Sequence, residues 1–380
     1  MIGFAAAALG ALAGPYCPAA LGGGPGSAAL QMLKLDTSPR ALGMAGAFTA
    51  VADDVHAAGY NPAGLGQLYF PEASAMYFSG FEGSRIQHLS FGVPLTVTGL
   101  AGVDKPAIAF SLLMSQAGDF TYRHINADGS VASRSYDAQS DTVLSFGYGE
   151  KVHTGTARLE GKEFRFDQYL GGAAKIIRSE LLDTYSATAF ALDAGWLVLE
   201  PTLGLTAGVS LANFGSGIKY HQEADPLPSI VRLGLSWQKP TVLDQSLLLS
   251  AQLDSYINES LRTARFGLEY RFQRIFNLRL GYKALDENTG LTVGLGIHHE
   301  TLALDLAMAP GEVYSSSQVG LSYKFTGWSP REYKKTVTYK DPEDRPAPKA
   351  VKEKRPPARP EPIKQRAPQQ NKGPDFYWLY

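Results

Sequence analysis

Between residues 202 and 325 apolar and polar side chains alternate, stretch after stretch, and no other feature limits the possible folds as strongly. Leu203, Leu205, Ala207, Val209 and Leu211 interleave with Gly204, Thr206, Gly208 and Ser210. Phe266, Leu268, Tyr270 and Phe272 alternate with Arg265, Gly267, Glu269 and Arg271, and Phe276, Leu278, Leu280 and Tyr282 with Asn277, Arg279, Gly281 and Lys283. Successive side chains on a strand point to opposite faces, so each stretch reads as a strand with one greasy face and one polar face. Many such strands, with no helices to cover the greasy faces, predict an all-β, antiparallel, up-and-down transmembrane barrel whose outer face meets lipid.

The alternation rule places about fourteen strands, centred near Tyr77, Phe91, Phe110, Phe146, Ala173, Leu192, Ala207, Leu233, Leu249, Phe266, Leu280, Leu295, Leu304 and Leu321. Connection lengths give an independent check, because outer-membrane barrels keep periplasmic turns short and external loops long. With the first strand rising from the periplasm, Gln116 to Asp141 and Gly215 to Ser229 are long external loops. Glu200-Pro201, Gln273-Arg274 and His299-Glu300 are minimal periplasmic turns. The connection around Lys151 to Glu163 is too long for its side, so either the strands there leave the membrane or their limits lie elsewhere. Aromatic residues such as Tyr77, Phe78, Phe81, Trp196, Trp237, Tyr256 and Tyr282 suit interfacial girdles, although aromatics also favour strands in general.

The first 33 residues carry no charged side chain. Ile2 to Ala13 forms a short apolar core followed by Pro15, Pro18 and small residues, which reads as a secretory signal over residues 1–22. It lacks the usual basic start. Cys17, the one cysteine, would leave with it, and a mature chain without thiols suits export. At the other end, residues 331–380 hold 13 Lys/Arg against 7 Asp/Glu, a net of +6, which leaves −7 of the total −1 for the rest. With nine prolines between Asp341 and Pro374, residues 327–380 are expected to form a disordered basic tail in the periplasm. Its aromatic end, with Phe376, Tyr377, Trp378 and Tyr380, is a candidate docking peptide for cell wall or a periplasmic partner.

Little in the chain points to catalysis. Asp53-Asp54-Val55-His56 and His298-His299-Glu300 hold metal-ligand residue types, but neighbours on a strand face opposite ways and do not readily share an ion. Gly22-Gly23-Gly24 lacks the flanking strand and helix of a phosphate loop, and no nucleophile elbow appears. The reading is of no enzyme, no metal, no cofactor and no nucleic-acid partner. The expected surroundings are outer-membrane lipid.

Residues 27–68 are distinctive. The blocks Leu33-Lys34-Leu35, Pro39-Arg40-Ala41, Gly43-Met44-Ala45-Gly46-Ala47-Phe48, Val51-Ala52-Asp53-Asp54 and Asn61-Pro62-Ala63-Gly64-Leu65 resemble the PorV/PorQ family of outer-membrane proteins, itself related to FadL-type hydrophobic-solute channels. The likeness continues at Val231 to Ser236, Gly281-Tyr282-Lys283 and Gly290 to Gly296, and covers roughly residues 27–326. Ala45 departs from it, standing where a third glycine is common, as does the long tail. The resemblance implies that residues 23–68 form an N-terminal hatch inside a barrel of residues 69–326. Its expected residues are Arg40, Gly43, Gly46, Asp53, Asp54, Asn61, Pro62 and Gly64. Gly43 and Gly46 would let the chain lie close to the wall, and Asn61-Pro62 with Gly64 would make a turn. Arg40, Asp53 and Asp54 would pair with lumen-facing charges such as Arg265, Glu269, Arg279 and Lys283, since a buried charge without a partner is costly.

Three functions remain open. The resemblance implies binding or shuttling of exported cargo proteins, with other secretion components, in a type IX-like pathway. The alternative is a FadL-like channel for hydrophobic solutes. The tail adds a structural envelope anchor. An apolar cavity under the external loops separates the channel from the docking platform.

Overall fold

A computed structural model describes residue 24 and residues 26–330, apart from 81–82, 160–161, 241–244, 286–287 and 312–314. The expected signal segment and the tail aromatics Phe376, Tyr377, Trp378 and Tyr380 lie outside the described residues.

Fourteen antiparallel strands close into a barrel, each paired with its sequence neighbours. They are β1 (Glu72–Ser79), β2 (Arg85–Pro94), β3 (Ala107–Ile125), β4 (Val131–Leu159), β5 (Lys162–Leu181), β6 (Tyr185–Glu200) and β7 (Leu205–Gly215). There follow β8 (Ile230–Pro240), β9 (Ser246–Tyr256), β10 (Leu261–Phe272), β11 (Phe276–Ala284), β12 (Gly290–His299), β13 (Leu302–Ala309) and β14 (Ser316–Lys324). Each expected centre, from Tyr77 to Leu321, falls inside its own strand. The ring is sealed where β1 meets β14, in register from Glu72↔Lys324 to Ser79↔Ser317, so the sheet has no free edge along this seam.

The apolar stripes face outward. Leu278, Leu280 and Tyr282 on β11, Leu291, Val293, Leu295 and Ile297 on β12, and Leu302, Leu304, Leu306 and Met308 on β13 are all substantially exposed. The belt continues through Phe110, Leu144, Phe146, Leu170, Ile176, Phe190, Trp196, Leu235, Leu249 and Phe266. Soluble monomers rarely expose a contiguous apolar patch above a few hundred Å². A belt running round a whole barrel is stable only with lipid against it. No helix among the described residues is long and apolar enough to cross a membrane; the strands do so instead.

Two long connections are ribbons, the first against the sequence expectation and the second in line with one of the two alternatives it offered. Gln116 to Asp141 is not an open loop: β3 and β4 stay paired in one register, skipping only Gly118 and Ala138, out to Ile125↔Val131, around the turn Asn126 to Ser130. The connection around Lys151 to Glu163 is likewise a ribbon, β4 and β5 pairing out to Leu159↔Lys162 beyond a bulge at Lys151/His153. Beyond the rim both faces of a ribbon are polar enough for water, so apolar alternation gives no signal although Thr, Tyr and Val still favour strands. Gly215 to Ser229 is a true loop, pinned by the bridge Ile218↔Asp225.

Connections after odd-numbered strands lie at one end of the barrel, called here the mouth; those after even-numbered strands lie at the other. At the latter end Gln273 and Arg274 both take positive φ (51° and 60°), the twist that joins two strands in the shortest turn.

Candidate functional site

Residues 26–68 run through the inside of the barrel. At the mouth, the short loop between β9 and β10 holds their start. The Glu259 carboxylate is fully buried and accepts from the Gly26 and Ala28 backbone N–H (both 3.3 Å), Gln31 Nε2 (3.2 Å) and Lys34 Nζ (2.5 Å). Burial alone would push its pKa up; the bonds from Lys34, Gln31 and Gly26 outweigh this and hold it below the usual glutamate value. A 3-10 turn, Gln31–Lys34, then turns Met32 and Leu30 toward Phe78, Ile86, Leu113, Val143, Ile177 and Leu227.

Further down, helix α1 (Pro39–Gly43) is started by Ser38, whose Oγ accepts from Ala41 N, and by Pro39 at its first turn. It lies against β11 to β14. Ala45 and Gly46 both take positive φ (55° and 77°), so Ala45 occupies a conformation glycine adopts more cheaply. Phe48 N and Thr49 N both donate to Gln252 Oε1 on β9 (3.0 and 2.9 Å). Helix α2 (Ala57–Tyr60) and a 3-10 turn, Pro62–Gln67, complete the path. Asn61 is completely buried: its Nδ2 donates to Thr49 O (2.9 Å) and Trp196 O (3.2 Å), and its Oδ1 accepts from Ala63 N (3.2 Å).

The wall makes room with glycine. Inward-facing Gly149 and Gly171 lie under Pro62, Gly195 under Asn61, Gly208 and Gly234 under Thr49 and Ala50, Gly267 and Gly281 under Met44 and Ala45, and Gly294 under Gly43. At nearly all of these a single Cβ would strike the segment's backbone or a neighbouring side chain. Of the two glycines expected to give close approach, Gly43 meets Gly294, whereas Gly46 faces the Arg265 guanidinium and the Asp36 carboxylate. Gly64 instead packs on Ala52 within the segment.

The charges form a buried network. Arg40 Nε lies 2.9 Å from Glu269 on β10, and its Nη1 reaches Asp53 (2.5 Å) and Asp54 (3.1 Å). Asp53 and Asp54 thus find their cation within the segment rather than on the wall. Desolvation disfavours the Arg40 charge, yet Asp53, Glu269 and Asp54 together place its pKa well above the ordinary arginine value. Glu269 also meets Arg279 (2.7 Å) and Arg271 (3.3 Å), and Arg279 continues to Asp305 (2.5 Å). Arg265 binds Asp254 (2.8 Å) and Asp36 (3.2 Å), tying a second point of the segment to the wall. Lys283 borders the cavity described next. Among the described residues no group of three His, Cys, Asp or Glu converges as a metal site would require.

Above this packing, at the mouth, lies a cavity of about 710 Å³. Leu30, Met32, Leu35, Phe78 and Ile86 contribute apolar wall, and Asp141, Glu259 and Lys283 polar points. A pocket of only about 60 Å³ sits below, among Asp36, Thr37, Tyr60, His88, Arg232 and Arg265. Both share the wall formed by Met32, Lys34, Leu35 and Asp36. Past it Met44, Phe48, Asn61 and Leu65 are fully buried. Glu259 and Gln252, which anchor the segment, have no sequence signal: one sits in an unremarkable short loop, the other reads as an ordinary inward-facing strand residue.

Fold and lumen together define a class: a closed fourteen-stranded membrane barrel with a mouth cavity and a lumen filled by its own N-terminal segment. No protein-family model matches the chain, and no curated protein matches it. Among solved structures it is similar to the Ralstonia pickettii toluene transporter TbuX, at 12% identity and a TM-score of 0.46, over 76% of this chain and 97% of that one. The Pseudomonas putida toluene transporter TodX aligns at 13% identity and a TM-score of 0.42, over 75% and 97%. The Acinetobacter baumannii outer membrane protein Omp33 aligns at 6% identity and 0.40, over 68% and 100%.

Proposed function

We propose that this chain is an outer-membrane conduit for small hydrophobic solutes, with the mouth turned outward and residues 36–68 acting as its hatch. The observation that carries the reading is the roughly 710 Å³ cavity at the mouth, directly above the part of the lumen where residues of the N-terminal segment are packed. That volume lies in the range of small-molecule sites, which are mostly apolar with a few placed polar groups. A hydrophobic solute leaves water favourably for the wall of Leu30, Met32, Phe78 and Ile86. Passage then requires the segment to shift from its glycine-lined seat. The cavity and the packed segment beneath it support this reading; the barrel likenesses, all at TM-scores below 0.5, add nothing to it.

Liposomes containing the folded chain test it. A conduit gives saturable uptake of an aromatic hydrocarbon above that of empty liposomes, and bulky substitutions at Phe78 and Ile86 change which solutes pass. Uptake equal to empty liposomes would refute the reading. No observation favours carriage of exported proteins over solute passage. An envelope anchor would depend on residues outside those described.

A further inference from the structure

The β3–β4 ribbon rises well past the barrel rim, and its two faces differ. Pairing to the neighbouring strands ends at Arg85↔Gln116 and Gln139↔Leu181, whereas β3 and β4 stay paired to Ile125↔Val131. The register between them never shifts, so the lipid-facing side of Phe110 and Phe146 continues unbroken up the ribbon. On that side stand Tyr122, His124, Ala132, Arg134 and Tyr136, with no carboxylate among the described side chains. Asp119 and Asp137 face each other across the strands on the opposite side.

The outward set is arranged as a ladder. Tyr122 and Arg134 are directly opposed, the Tyr122 and His124 rings stack at 5.5 Å with planes 25° apart, and the Arg134 guanidinium lies 4.9 Å from the Tyr136 ring. Exposed stacked aromatics present flat apolar faces to the C–H face of a sugar, and guanidinium is the group suited to phosphate. Height selects among lipids. Tyr122 lies six residues beyond Gln116, about 20 Å along the strand, or about 14 Å above the rim at a 45° tilt. A phospholipid headgroup layer is only about 5–8 Å thick per leaflet. A headgroup several sugars tall reaches the ladder; a phosphoglycerol group does not.

We infer that the outward face of the β3–β4 ribbon, at Tyr122, His124, Arg134 and Tyr136, binds the phosphorylated saccharide headgroup of an outer-leaflet glycolipid. The inference goes beyond solute passage and shares with it only the outward placing of the mouth. It is tested on the full chain in detergent, where neither orientation nor flux enters. The protein is titrated with a phosphorylated glycolipid carrying an oligosaccharide of several sugars, its dephosphorylated form and phosphatidylglycerol, and binding is read by native mass spectrometry. The phosphorylated glycolipid binds tightest, and Arg134→Gln and Tyr122→Ala each weaken it about fivefold. Arg123→Gln, on the opposite face of the same ribbon, leaves it unchanged. Equal binding by all three variants, or equal affinity for the dephosphorylated lipid or for phosphatidylglycerol, overturns the inference.

Discussion

Arg40 and Glu269 meet at 2.9 Å inside the barrel and join the N-terminal segment to β10 through charge. Asp53 and Asp54 hold the same guanidinium from the segment's side, while Arg279 and Arg271 hold Glu269 from the wall. Arg40 is therefore a cation on which both Asp53 and Asp54 converge.

Removing that cation leaves the buried Asp54 without its ion pair, whereas Asp53, with its side chain 39% exposed, can turn to water. Arg40→Ala is expected to cost about 3 kcal/mol, the low end for breaking a buried pair because Glu269 keeps two arginines. The barrel strands themselves lose no bond. In planar bilayers the variant should show larger and more frequent conductance openings than the wild type. Identical traces would mean that packing alone seats the segment.

Glu259 sets a pH dependence at the mouth. Its folded pKa lies below the unfolded glutamate value, about 4.3, so its contribution is complete above that pH. It is lost as pH falls through the folded pKa. The Gly26 and Ala28 amides, which donate to this carboxylate, should keep their exchange protection at pH 6 and lose it only in strong acid. Glu259→Gln removes the Lys34 ion pair and should show weak protection at every pH. Amide exchange normalised to intrinsic rates reads both.

A side chain in place of Gly195 has nowhere to go but into Asn61, Pro62 and Ala63. Gly195→Leu should displace the segment while the β5–β6–β7 pairing survives, at an overpacking cost of about 1–3 kcal/mol. The expected signature is an intact, heat-modifiable barrel on a gel combined with raised conductance. A barrel that fails to assemble would mean that the segment is needed for closure of the wall.

Asn61→Ala leaves Thr49 O and Ala63 N without their side-chain partner in a site closed to water. The loss should be about 1–3 kcal/mol in thermal unfolding. Asn61→Asp should be at least as damaging, because an acceptor-only carboxylate would face two carbonyl oxygens.

The strands were legible because a barrel wall has one face in lipid and one in the lumen, which writes a period of two along every crossing. Tyr77 to Leu321 could all be placed on that signal. It fades where both faces meet water, as on the ribbon around Tyr122, which reads as a loop, and on the one around Phe164, where it leaves the strand limits undefined. The segment's residues Arg40, Asp53 and Asn61 stood out by likeness to a family, yet their partners did not. Nothing about Asp53 in the sequence shows that Arg40, thirteen residues earlier, is its cation.

Alternation and the apolar stripes it writes by themselves determined a membrane barrel, since both are local properties of consecutive residues. Only the tertiary structure decided how the lumen is filled. Glycines scattered over eight wall strands from Gly149 to Gly294, Glu259 in one loop and Gln252 on β9 lie far apart in sequence. They act together only once closure of the barrel turns them toward the same segment.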